Sequence, residues 1–119
     1  MALIRTKRVY LPRTADDGYR VLVDGIWPRG MTRQKADIDL WLREIAPTKA
    51  LRQWYRHDAQ KWPEFRRRYY EELDNNAESV AHLKKLLAGG PITLVYSSSE
   101  TRLNNASALK SYLENQNGE

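Results

Sequence analysis

The chain has 119 residues, enough for one domain with a core of its own. It contains no cysteine, which excludes disulfides, thiolate catalysis and cysteine-ligated metals, and no apolar run approaches the ~20 residues that span a bilayer. The net charge of +5 is uneven: residues 1–70 hold 16 Lys/Arg and 8 Asp/Glu, whereas residues 71–119 hold 4 and 7, which favours anionic partners for the N-terminal portion.

Ile4 to Tyr10 reads as a first strand, and Pro12, Asp16, Asp17 and Gly18 mark a loop. Arg20 to Asp24 is a second strand whose unbroken Val21-Leu22-Val23 predicts burial on both faces, as in a parallel sheet. Asp37 to Ala46 reads as a short helix with Ile38, Trp41, Leu42 and Ile45 on one face, stopped by Pro47. Thr48 suits the N-cap of a helix that turns Leu51, Trp54 and Tyr55 inward. A longer helix follows from Lys61 to Asp74, its stripe carried by Trp62, Phe65, Tyr69 and Leu73, with Pro63 in the first turn. Asn75 or Asn76 caps a helix with Val80, Leu83, Leu86 and Leu87 inward, ended by Gly89-Gly90. Ile92 to Tyr96 is the third strand, Ser97 to Thr101 a polar turn, and Leu103 to Leu113 the last helix. The expected fold is a single α/β domain over 1–119, a small, mainly parallel three-stranded sheet flanked by about five helices, with 115–119 a frayed tail. Met1 to Arg5 carries no secretory apolar region, so a cytoplasmic location with no membrane partner is expected.

Two loops carry candidate chemistry. Asp24, Trp27, Pro28, Arg29 and Gly30 place a carboxylate and a guanidinium about five residues apart beyond a strand end, where open α/β sheets bind ligands. Asp24 would orient Arg29 or act as a base; the plain structural alternative is that Asp24 caps the turn, Trp27 fills the core and Arg29 pairs with a carboxylate. The stretch Ser97, Ser98, Ser99 with Asn104 and Asn105 joins a strand to a helix start, whose amides and dipole suit an anion. An ordinary helix cap with solvated amides is the alternative there, and the glycines and lysine of a P-loop are missing. A parallel sheet would bring both loops to one cleft.

The only histidines, His57 and His82, are too few and too scattered for a metal site, and no cofactor is indicated. His82 is expected in solvent, and Asp58 as a cap. Arg66-Arg67-Arg68 looks like a nucleic-acid patch, but Glu71 and Glu72 follow four residues after Arg67 and Arg68, which favours a solvated helix face. The expected function is binding of a small phosphate- or carboxylate-bearing ligand at the carboxyl ends of the strands. Nucleic-acid binding by the basic portion and a protein-protein interaction module are the alternatives.

An ordered set of motifs resembles one family. It comprises Lys7-Arg8-Val9-Tyr10, Asp17 to Asp24, Trp27-Pro28-Arg29-Gly30, Trp41 to Pro47, His57-Asp58 with Trp62, Glu64, Phe65, Arg68 and Tyr69, and Ile92 to Tyr96 with Asn104, Asn105, Ala106 and Leu109. Together they are similar to the YeaO-like proteins of domain of unknown function 488. The resemblance spans nearly the whole chain and implies a compact cytoplasmic α/β domain without an established activity. Some members carry a methyltransferase label, for which this chain shows no glycine-rich cofactor loop. The chain departs from the family pattern at Gly25, where Arg is usual, at Ser99, often basic, and at Leu103 or Asn105, often His or polar. These departures weaken polar positions beside both candidate loops.

Overall fold

The computed structural model describes residues 3–117 of the chain. Four strands form one parallel sheet in the order β1-β4-β2-β3: β1 (Ile4–Arg8), β2 (Tyr19–Leu22), β3 (Leu40–Trp41) and β4 (Ile92–Tyr96). Five α-helices accompany them: α1 (Arg33–Ala36), α2 (Lys49–Tyr55), α3 (Trp62–Asp74), α4 (Ala77–Ala88) and α5 (Asn105–Asn117). The sheet is therefore four-stranded rather than three-stranded. Among the described residues no helix is long and apolar enough to cross a membrane. Residues 118 and 119, the end of the expected frayed tail, lie outside the described residues.

The extra strand lies where the sequence suggested a helix over 37–46. Thr32 caps α1 by accepting from the Lys35 amide, and Asp37 ends it in the left-handed conformation (φ 47°, ψ 52°). Helical structure thus stops where the spacing expected it to begin. The following backbone pairs along β2: Asp39 N donates to Arg20 O at 2.8 Å and Leu42 N to Leu22 O at 3.0 Å. Leu40 and Leu42 join one core while Trp41 joins the other, which is the two-residue alternation of a strand. A single 3-10 turn over Arg43–Ile45 then buries Ile45.

The strands divide the interior into two unequal cores. Ile4, Val21, Val23, Ile92, Leu94 and Tyr96 face a layer built by α2 to α5, in which Phe65, Tyr69, Leu83, Leu109 and Leu113 are fully buried. The intervening Val9, Leu22 and Val95 meet Ala36, Trp27, Met31, Ile38 and Trp41 instead. The second face of the sheet is thus covered mainly by the long β2–β3 connection rather than by a helical layer. Trp27 and Trp41 pack edge to face at 5.4 Å, and their indole N–H groups donate to Met31 O and Asp24 O, both at 2.7 Å. Two large apolar bodies with satisfied polar tips do the work of a helix there.

The polar heart of the fold is at the amino end of β2. Arg20 is fully buried and donates to Asp17 Oδ2 (2.8 Å), Asp37 O (2.8 Å) and Ala36 O (2.7 Å). Lys7 completes the cluster at 3.1 Å from both Asp17 oxygens. Burial raises the Asp17 carboxyl, but the hydrogen bonds from Arg20, Lys7 and Thr14 outweigh it and hold the group at about 2. This network ties the amino end of β2 to Lys7 near the carboxyl end of β1, and leaves the carboxyl ends of β2 and β4 to carry a site.

Candidate functional site

The loops after β2 and β4 emerge side by side, as parallel strands require. Val23 N donates to Val95 O at 3.0 Å, so the two chains run together to the strand ends. Asp24 then ties them. Its Oδ2 accepts from both the amide and the hydroxyl of Ser97 at 2.8 Å, and its Oδ1 accepts from Asn105 Nδ2 at 3.1 Å. The same Asn105 amide also donates to Val23 O at 3.1 Å. Asp24 is a strut between two loops and the start of α5, bonded to Ser97 and Asn105 rather than to Arg29.

The turn from Ser97 to Asn104 is closed in a similar way. Ser98 Oγ accepts from Glu100 N, and Glu100 Oε2 accepts from the amides of Arg102 and Leu103 at 2.8 and 3.0 Å. These amide bonds, Leu103 first, hold the Glu100 carboxyl below its ordinary range. Asn104 is the N-cap of α5: Oδ1 accepts from Ser107 N at 2.9 Å and Nδ2 donates to Glu100 O at 2.8 Å. It is only 4% exposed. Most donors expected to meet an anion at this helix start are therefore taken by the chain itself, and Ser99 stands exposed at the turn's outer side.

Arg29 is different. Its backbone carbonyl accepts from Tyr10 Oη at 3.0 Å, Pro28 before it is buried, and Gly30 after it turns the chain at φ +78°. Its exposed guanidinium has no hydrogen bond or ion pair among the described residues. Arg8, by contrast, is committed: it donates to Ser98 O (2.9 Å) and Ser97 O (3.3 Å) and lies 4.9 Å from the Tyr10 ring centre.

Both loops line one cleft of about 430 Å³. From the predicted set, Asp24, Trp27, Arg29, Ser97, Ser98, Asn104 and Asn105 line it; Gly30 and Ser99 do not. Sequence reasoning missed Tyr10, Arg52, Tyr55 and His57, which also line it. Arg52 and Tyr55 are three residues apart on α2 and share a face, the one signal that pointed from the recognised inward Tyr55 to Arg52. Arg52 Nε donates to Pro47 O at 3.3 Å, and its guanidinium lies 3.7 Å from where a Cβ on Gly25 would stand. It has no carboxylate partner among the described residues. Tyr55 Oη donates to Leu103 O at 2.8 Å, and burial followed by the charges of Glu100 and Asp58 raises its hydroxyl. Arg56 and His57 both have positive φ (48° and 58°), a reversal that carries the exposed His57 to the rim.

The other sequence candidates resolve as structure. Among the described residues no group of His, Cys, Asp and Glu is placed to hold a metal ion, His82 is exposed, and Asp58 caps the turn Ala59–Lys61. Arg67 pairs with Glu64 and Glu71, and Arg68 with Glu64 while lying 4.3 Å over Trp54. Glu72, the expected partner of Arg68, instead accepts from Thr48 N and Oγ1 at the start of α2. Trp62 and Phe65 stack in the core with Tyr55.

Comparison with known proteins agrees with the motif pattern. An uncharacterized protein of Mycobacterium tuberculosis and one of Mycobacterium bovis are each 38% identical over 110 residues, 92% of this chain and 92% of theirs. The uncharacterized protein YeaO of Escherichia coli is 36% identical over 110 residues, 92% of this chain and 96% of its own. No solved structure matches the chain. The family model described as the inactive DUF488-N3 subclade matches residues 3–119. The chain belongs to that subclade of the YeaO-like DUF488 family.

Proposed function

We propose that this domain binds a small phosphate- or carboxylate-bearing anion in the cleft at the carboxyl ends of β2 and β4, without turning it over. The observation that carries the reading is that two guanidinium groups, Arg29 and Arg52, line one cleft with no carboxylate partner among the described residues, while Asp24 on the same lining and Glu100 in the turn after β4 are each satisfied by internal donors. A guanidinium's planar fork can give a phosphate or carboxylate two parallel hydrogen bonds, the bidentate contact that favours Arg at anion sites. The family's description as inactive supports binding without reaction, and so does an Asp24 held as a strut. The ion pairs of Arg13, Arg67 and Arg68 weaken the alternative of a nucleic-acid surface, because they commit those cations within the fold.

The test is a thermal-shift panel of inorganic phosphate, nucleotides, carboxylates and short oligonucleotides. A ligand at 100 times its dissociation constant stabilises by ~2.7 kcal/mol. We expect a shift that is lost in Arg29→Ala and in Arg52→Ala and kept in Arg66→Ala. No shift with any anion, or a shift that survives both cleft variants, overturns the reading. A steep loss of oligonucleotide binding with salt, unaffected by Arg29→Ala, would establish the nucleic-acid alternative instead.

A further inference from the structure

We infer that the anion this cleft takes is carried on a flat aromatic or heteroaromatic body, as in an aryl phosphate. The inference rests on the anion-binding reading and narrows it. A cleft of about 430 Å³ lies in the size class that encloses a whole small molecule and is far larger than a bare oxyanion needs. Its floor is apolar: Phe65 and Tyr55 stack with ring centres 4.4 Å apart, and the Tyr55 hydroxyl is directed to Leu103 O, so its polar end is spent within the protein. Ile26 on the wall is 64% exposed, an uncovered apolar side chain two residues before the buried Pro28. The exposed rings of Tyr10 and His57 stand on the same lining. Charge at Arg29 and Arg52 and apolar surface elsewhere divide the cleft into a site for a head and a site for a body.

The experiment titrates the full chain with phenyl phosphate, butyl phosphate and inorganic phosphate by calorimetry, using wild type and Ile26→Ser. Ile26 is exposed, so this variant folds normally, which its melting curve checks. Phenyl phosphate should bind about tenfold more tightly than inorganic phosphate, equivalent to about 1.4 kcal/mol, and more tightly than butyl phosphate. Ile26→Ser should reduce the affinity for phenyl phosphate about threefold and leave inorganic phosphate unchanged. Equal affinity for phenyl and inorganic phosphate overturns the inference while leaving the anion reading intact, and equal affinity for phenyl and butyl phosphate overturns the commitment to a flat body. Binding of none of the three overturns both.

Discussion

Replacing Asp24 separates a structural carboxylate from one that serves a ligand. Asp24→Ala removes three hydrogen bonds to an ionised acceptor, two from Ser97 at 2.8 Å and one from Asn105 at 3.1 Å. Bonds to charged groups contribute ~1.5–3 kcal/mol each, but these three share one side chain and do not add. Asn105 keeps its bond to Val23 O at 3.1 Å, which softens the loss. The half-buried Ser97 amide loses its acceptor, and the expected total is about 3 kcal/mol. At roughly 4 °C per kcal/mol for a domain of this size, melting should fall by about 12 °C. Asp24→Asn should cost nearly as much, since in either orientation its amide nitrogen faces a donor, Ser97 or Asn105. Urea denaturation of the two variants checks the figure. A change below about 0.5 kcal/mol, with loss of ligand binding, would refute the strut and return Asp24 to a direct role.

Other consequences are as specific. Asp17 sits at about 2 when folded, against an ordinary 3.8, so it stabilises the fold by about 2 kcal/mol above pH ~4. Because its folded value is depressed, that contribution is lost as pH falls from ~4 through 2; Asp17→Asn should flatten the stability profile in that window, followed by urea denaturation at each pH. Arg20→Met leaves Lys7 as the one cation beside the buried Asp17, with Thr14 as its other donor, and should cost about 3–5 kcal/mol in the same assay. Gly18 has φ +64°, and a Cβ there would run into the Pro91 carbonyl; Gly18→Ala should cost at least about 2 kcal/mol by thermal melting. Gly25 has room for a side chain, its nearest neighbours being Ala46 Cβ at 3.5 Å and Arg52 at 3.7 Å. Gly25→Arg should fold normally and tighten phosphate binding about fourfold by calorimetry, the effect of one more positive charge at ~5 Å in high dielectric.

Much of this fold was legible because its signals are local. The Trp62–Leu73 stripe, the Thr48 cap and the apolar run Ile92–Tyr96 each name their element without reference to the rest of the chain. The segment 37–46 was misread because its apolar residues serve two cores on opposite sides of a sheet, and that division imitates a helical stripe. Its strand character comes from Arg20 and Leu22, some twenty residues earlier, which no local pattern shows. The meeting of the Asp24 and Ser97 loops followed from parallel topology alone. What they do on meeting did not, because Asp24, Ser97 and Asn105 satisfy one another. Arg52 escaped notice because a helical arginine beside an inward tyrosine looks like any solvated cation until the β2 loop is laid against it.

The most direct test of the central claim is an NMR titration of the arginine side-chain Nε–H signals with inorganic phosphate. The account predicts saturable shifts at Arg29 and Arg52 with one common dissociation constant. That constant should weaken about tenfold or more when either residue is changed to alanine, and Arg66 should respond only weakly and without saturation. Saturable shifts at Arg66 equal to those at Arg29 and Arg52, or none at the two cleft arginines, would contradict it.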